Sequence, residues 1–535
     1  MIALTLPVLL PLFGGALLLL LETPPARARA SAVVALLTLL ASLWLAVLSF
    51  SGKVLATQLG GWPAPYGVTL VADGLTGIML LLSGLTGLLS TVYAGSSLQH
   101  TPRRGTSPLV NRLREKLGTP ALLQFLFMGV NMSFLTGDLF NLFVSFEVML
   151  IASYGLLLIG GTLPQLREGF KYVVVNLVAS AIFVAAAGLA YGLFGTLNMA
   201  DIALRLQGVT GDLRVTLVAA LLALVFATKA ATFPFGFWLP YSYPVVPGAV
   251  GAFFGAMLTK VGVYALLRLF TLLTPQETGL RNTLLLLAGL TILFGALGAV
   301  AQRRWRHLLA FANVASVGYL VMGLASGALA PTLYYLIHSV LVIFTLFLLA
   351  GLAELIAGER FGDHAEGHLG AYPLLGAVYF VAALALAGFP PTSGFIGKFA
   401  LIQVLLETGG ALRIGVATVA TASGLLLLYA GMAVWRGFFW GDEDAVHEVA
   451  LPRGMWWVTA FAGTLLVLLA VLSGPVYALS ERVAAQLGTP EAYISSVLPQ
   501  EARAETVPET TQETAQKSVQ KSVQKSAEKT TRETP

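Results

Sequence analysis

The chain has 535 residues, 57% of them hydrophobic and only 11% charged, with a mean hydropathy of +0.83 and a formal net charge of +5. Soluble domains carry roughly 25% charged residues, so the composition excludes a soluble globular domain and predicts a polytopic membrane protein. There is no cysteine, which excludes disulfides, thiolate zinc sites and cysteine-held iron–sulfur clusters and moves any redox chemistry into a partner.

The first segment, "MIALTLPVLLPLFGGALLLLL", lacks a basic n-region and a small-residue cleavage site and reads as a retained span, not a signal peptide. At about 20 apolar residues per crossing, about fourteen spans follow, centred near residues 12, 41, 82, 129, 150, 183, 225, 261, 292, 318, 343, 390, 424 and 466. The predicted fold class is therefore an all-α membrane protein. Alternate connections hold Arg27 and Arg29; Arg103, Arg104, Arg112, Arg114 and Lys116; Arg167 and Lys171; Arg303, Arg304 and Arg306; and Arg436 and Arg453. The positive-inside rule makes this richer set cytoplasmic, and an even span count then places both termini on the extracytoplasmic side of the plasma membrane. The predicted organisation is a three-span segment (1–118), two five-helix blocks (119–272 and 283–435), a last span (436–479) and a polar tail (480–535). The tail ends in "QKSVQKSVQKSAEKTTRETP", which has almost nothing to bury and is expected to be disordered.

Two spans are interrupted. In "ALVFATKAATFPFGFWLP" (223–240), Pro234, Gly236 and Pro240 follow Lys229; in "ALAGFPPTSGFIGKFALI" (385–402), Gly388, Pro390, Pro391 and Gly394 precede Lys398. Each falls in the fourth span of its block. An odd number of spans per block turns the second copy upside down, and a matched pair of Gly/Pro-broken segments points to an inverted-repeat transporter.

Ionisable residues inside spans are costly and default to functional candidates. Five stand out: Glu147, Lys229, Lys260, His338 and Lys398. The bland alternative is an interhelical pair or a snorkelling lysine, which weakens when five such residues each fall mid-span. One glutamate cannot neutralise three lysines at once. A lysine left without a carboxylate in a span is a group able to gain and lose a proton, and histidine, with an unperturbed pKa of ~6.5, suits the same work. The broken helix beside Lys229 is expected to give that site backbone and water access.

Weaker signals read as structural. "GDHAEGH" (362–368) places His364 and His368 among carboxylates, but a polar loop without a wider ligand set is usually just solvated, so a metal site is left open. Asp73 falls near a span end, and Glu168 with Lys171 has the i,i+3 spacing of a simple pair. Phosphate-loop, dinucleotide, nucleophile-elbow and HExxH motifs are absent from the sequence.

The stretches "LTGDLFNLFVSFEVMLIASYGLLL" (135–158), "LREGFKYVVVNLVASAIF" (166–183), "GTLNMADI" (195–202), "KAATFPFGFWLPYSYPVVPGAVGAFFGAMLTKVGVY" (229–264) and "GFPPTSGFIGKF" (388–399) resemble the D subunit of Mrp-type multisubunit cation/proton antiporters. The wider superfamily includes the antiporter-like proton-pumping subunits of respiratory complex I and membrane-bound hydrogenases. The resemblance implies that Glu147 is the family's glutamate on the fifth span and Lys229 its lysine on the broken seventh. It likewise implies Lys260 on the eighth span, His338 on the eleventh and Lys398 on the broken twelfth, with Arg306 or His307 as the basic residue opening the tenth. Relatives often carry a further lysine one turn after the histidine, where this chain has Val342 and Ile343.

The resemblance implies a secondary-transporter subunit, not an enzyme, exchanging Na⁺ (or K⁺ or Li⁺) for H⁺ with other membrane subunits, without a cofactor and without nucleic acid. The alternative is a proton-pumping module of an NADH–quinone oxidoreductase or membrane-bound hydrogenase, driven by electron transfer elsewhere. A third reading, an inert membrane scaffold, is opposed by the mid-span charges.

Overall fold

The computed structural model describes residues 2–498 apart from 65, 101–108, 208, 210, 275–276, 358–368 and 441–450. His364 and His368 lie outside the described residues, as does the tail beyond residue 498. The first helices are α1 (Ile2–Leu20) and α2 (Pro24–Phe50), followed by a small antiparallel hairpin of β1 (Leu55–Gln58) and β2 (Thr69–Ala72), registered Leu55 to Ala72 and Gln58 to Thr69. Next come α3 (Gly74–His100), α4 (Leu109–Leu135), α5 (Leu139–Leu158), α6 (Leu163–Phe194), the short α7 (Met199–Arg205) and α8 (Leu213–Lys229). A continuous helical stretch, α9 (Gly248–Leu273), leads into α10 (Thr278–Val300), α11 (Trp305–Ser326) and α12 (Leu329–Ala357). The chain finishes with α13 (Pro373–Ala387), α14 (Ser393–Thr408), α15 (Ala411–Phe438), α16 (Arg453–Val471), α17 (Ser473–Gly488) and α18 (Glu491–Val497).

Among the described residues, twelve helices are long and apolar enough to cross a membrane. The two Gly/Pro-interrupted spans are divided in the structure: α8 stops at Lys229, and α13 and α14 flank a non-helical stretch at Gly388–Thr392. Pro234 therefore does not sit in a helix interior, and its missing N–H takes no bond from a helical ladder.

The layering follows from hydrocarbon being as apolar as leucine: large side chains face outward freely, and polar groups must turn inward. Helices α9 and α11 are buried along their whole candidate spans, whereas α1, α2, α6 and α15 are covered on one side only. Phe170, Leu425 and Val471 stand largely exposed on the outer helices. Helix starts are tied down by polar caps. Asp138 accepts from the Asn141 amide, Asp212 from that of Arg214, and Thr162 with Gln165 forms a reciprocal capping box on α6.

The polar tail begins later than its composition suggests. Residues 480–498, expected to be part of the disordered region, form the second half of α17 and all of α18, and Ser480, Val483, Leu487, Tyr493 and Val497 are buried against the bundle end. Apolar residues at helical spacing inside a mostly polar stretch carry this packing, so that region does have something to bury.

Candidate ion-translocation site

Glu147 projects from α5 toward α6. Its Oε1 accepts a short hydrogen bond from Ser180 Oγ, and Lys229 Nζ donates to the same hydroxyl at 3.2 Å. Ser180 thus stands between the carboxylate and the ammonium. Lys229 is the last residue of α8 and lies 5.0 Å from the Phe146 ring centroid, within an aromatic cluster of Phe146, Phe183 and Phe226. A cation over a ring face in a dry site gains quadrupolar attraction. Beyond Lys229 the chain turns at Ala231, whose φ of +63° lies in the left-handed region that a non-glycine residue rarely adopts. A Cβ on Gly262 would come within 2.5 Å of the Ala230 amide nitrogen. Only glycine there lets α9 approach the break that closely.

Lys260 lies on α9 between two π-helical turns, Phe254–Leu258 and Leu269–Leu273, a departure from α-geometry that recurs at functional sites. It is fully buried, and its Nζ donates to Asn313 Oδ1 at 2.8 Å and to the Gly255 carbonyl at 3.0 Å. Asn313 belongs to α11, and Tyr319, further along that helix, places its ring 4.6 Å from Lys398 Nζ. The Tyr319 hydroxyl is fixed by Ser423 Oγ at 2.7 Å. His338, on α12, pairs its Nδ1 with Ser393 Oγ at 2.9 Å and packs against Tyr335, which in turn packs against Tyr319. Lys398 donates to the Leu386 and Ala387 carbonyls at 2.8 and 3.1 Å, the negative end of α13. A Cβ on Gly394 would collide with the Ala385 carbonyl oxygen, so the α14 start can sit under the end of α13 only with glycine there.

The five sequence candidates therefore fall into three contact groups: Glu147, Ser180 and Lys229; Lys260 with Asn313; and Tyr319 and Tyr335 with His338 and Lys398. Each lysine is held by neutral oxygen atoms. Sequence reasoning misses Ser180, Asn313, Tyr319 and Ser393, because a serine, asparagine or tyrosine within a span is ordinary and only the packing shows which charge it meets. Val342 and Ile343 are both buried and apolar, and Ser339 accompanies His338 on α12. Arg306 reaches the Val246 carbonyl at 2.8 Å and Glu354 at 2.5 Å, clamping the segment that follows the first break. Glu168 and Lys171 make the expected simple pair at 2.9 Å.

A different arrangement closes the other end of α9. Arg268 donates to Asp73 from Nη1 and Nη2 at 2.6 Å each; Nη2 also reaches Thr76 Oγ1 at 3.1 Å, and Nε donates to the Tyr264 hydroxyl at 3.1 Å. Burial alone would raise the Asp73 carboxyl, but the Arg268 guanidinium and the Thr76 amide outweigh it and hold the group below its ordinary value of 3.8. Bidentate, desolvated and fully paired, this is a charge pair built to stay closed. Tyr493 of α18 covers it, with Arg268 5.4 Å from the ring.

Ionisable side chains inside a bundle of long apolar helices, the lysines held by hydroxyl, amide and carbonyl oxygens beside two broken helices, are the pattern of an ion-translocating membrane protein. The chain belongs to the family described as "NADH:quinone oxidoreductase/Mrp antiporter, TM", whose model matches residues 136–424. It is 39% identical over 503 residues to the D subunit of the Na⁺/H⁺ antiporter of Alkalihalophilus pseudofirmus, covering 92% of this chain and 98% of that one. To the protein of the same name from Bacillus subtilis it is 36% identical, with the same shares covered. Among solved structures it is similar to a chain of the Mrp complex from Dietzia sp. DQ12-45-1b, with a TM-score of 0.82, 27% identity, and 93% of this chain and all of that one covered. A chain of respiratory complex I from Thermus thermophilus is similar at a TM-score of 0.74 and 27% identity, covering 91% of this chain and all of that one.

Proposed function

We propose that this chain is the D-type membrane subunit of a multisubunit cation/proton antiporter, in which Glu147, Lys229, Lys260, His338 and Lys398 pass protons whose flow is exchanged for Na⁺ (or K⁺ or Li⁺). The observation that carries this reading is the way the lysines are held. A structural ion pair in this protein takes the form of Asp73 with Arg268, bidentate and fully satisfied. Lys229, Lys260 and Lys398 instead contact Ser180, Asn313 and backbone carbonyls, oxygen atoms that accept from an ammonium without neutralising it. Asn313 Nδ2 and Ser339 Oγ are buried without a protein partner among the described residues and supply polar positions at which an ordered water would bridge neighbouring carriers. Similarity over 92% of the chain to proteins named as the D subunit of Na⁺/H⁺ antiporters favours the antiporter over a redox-driven pump.

The two broken segments support the division into inverted blocks 119–272 and 283–435, since each ends a helix against a lysine. The arginine-rich connections support a plasma-membrane orientation with both termini outside. The test is exchange by the assembled complex in everted vesicles, read as Na⁺-driven dequenching of a pH dye. Glu147→Ala abolishes the signal and Glu147→Asp weakens it; a normal signal from an assembled Glu147→Ala complex overturns the reading.

A further inference from the structure

A pocket of about 330 Å³ opens on the outer surface of the bundle and ends at Lys398, within the roughly 300–1,000 Å³ of small-ligand sites. Phe389, Phe399 and Leu425, which are 50%, 56% and 69% exposed, form its mouth, and Thr421 and Gly424 line one wall. Its floor is Tyr319 and Lys398, and Lys398 is only 5% exposed. An otherwise apolar crevice with one amine at its end selects for an amphiphile of opposite charge. The ammonium has three donors, and two of them go to the Leu386 and Ala387 carbonyls.

We propose that this pocket binds a single-chain fatty acid, its acyl chain along the aromatic mouth and its carboxylate on Lys398 Nζ, and that the bound anion holds the lysine charged and stops its turnover. The acyl chain exchanges one apolar medium for another and contributes little selectivity, so the head group decides what binds. Lys398 lies ten residues before the end of α14 at Thr408, about 15 Å of helix rise, so a phospholipid phosphate at the helix end would have to sink about that far to reach it. A fatty acid enters the hydrocarbon as the neutral acid. If Nζ is unprotonated, the carboxyl O–H bond breaks and its proton forms the new N–H bond; if Nζ already carries the proton, the carboxylate pairs with it directly. Both routes end in the same ammonium–carboxylate contact. His338 is the nearest other titratable carrier, and Tyr319 the aromatic hydroxyl on the facing helix. The regulatory half rests on the translocation role proposed above for Lys398; the binding half does not.

The purified complex is photolabelled with a 12-carbon diazirine fatty acid and the labelled residues are mapped by mass spectrometry. Label is expected on the pocket wall around Phe395, Phe399 and Leu425, displaced by dodecanoate but not by dodecanol. Lys398→Met reduces it about tenfold or more, the loss of one charge-assisted contact. Thr421→Phe fills the wall without touching the lysine. It also abolishes labelling, and exchange in that variant becomes insensitive to dodecanoate while the wild type is slowed. Should Lys398→Met fail to assemble, Thr421→Phe and the dodecanol comparison carry the test. Even labelling of all outward helices, equal competition by dodecanol, or protection of the pocket by a neighbouring subunit's helix overturns the proposal. Specific labelling of a wild-type complex that exchanges no Na⁺ for H⁺ overturns the translocation reading and leaves the binding site standing.

Discussion

Replacing Ser180 by alanine removes one oxygen from the protein and leaves every helix as it was, yet it parts Glu147 from Lys229. In the native arrangement the hydroxyl donates to Glu147 Oε1 and accepts from Lys229 Nζ at 3.2 Å, and Lys229 is only 5% exposed. Hydrogen bonds to charged groups contribute roughly 1.5–3 kcal/mol. If loss of the bridge raises the barrier to proton passage by one such bond, exchange slows about 10- to 150-fold, since each 1.36 kcal/mol is tenfold. The assay is Na⁺-driven dye dequenching in everted vesicles, with complex assembly checked in the same membranes. Ser180→Thr keeps a hydroxyl on the same β-carbon and should retain exchange within a few-fold of wild type. The pH profile of the residual alanine activity should also shift, which a merely structural role would not produce. Wild-type rates in Ser180→Ala would refute the bridge and leave Glu147 and Lys229 acting separately.

Lys398→Arg keeps the charge, but a guanidinium does not release its proton in proteins; the complex should assemble and show no exchange, and wild-type exchange would mean the residue serves only as a fixed charge. His338→Gln can preserve a bond to Ser393 but cannot be protonated near neutral pH, so exchange should stop; retention of the wild-type rate makes His338 structural. Asp73→Asn or Arg268→Gln should lower stability by about 3–5 kcal/mol, because each strands a buried charge, seen as loss of assembled complex or a lower Tm, while a paired Asp73→Leu, Arg268→Leu variant recovers much of the loss. The Asp73 carboxyl sits below its ordinary 3.8, so its contribution is fully present above about pH 4 and is lost only as pH falls through the depressed value; exchange assays near neutral pH should not detect its titration.

The intramembrane ionisable residues were legible because the bilayer penalises charge: a lysine inside an apolar run stands out whatever its surroundings. The two breaks were legible because Gly and Pro act locally. What the sequence left obscure depends on which face of a helix meets which neighbour. Ser180 is one of several serines in apolar spans, and only the packing of α5, α6 and α8 puts it between two charges. Asp73 and Arg268 are separated by 195 positions, and an arginine near a helix end reads alone as a snorkelling side chain. The start of the polar tail was misplaced for a related reason. Composition averaged over residues 480–535 is hydrophilic, but Val483, Leu487, Tyr493 and Val497 recur on one side and pack on the bundle.

Lys260→Met tests the central claim most directly. Lys260 is fully buried, with Asn313 and the Gly255 carbonyl as its contacts, and methionine fills much the same space without a titratable group. In everted vesicles carrying the fully assembled variant complex, addition of Na⁺ should produce no release of lumenal protons at any pH at which the wild type is active. Exchange at the wild-type rate in that complex would show that protons do not pass through Lys260 and that the buried ionisable residues are not the translocation path.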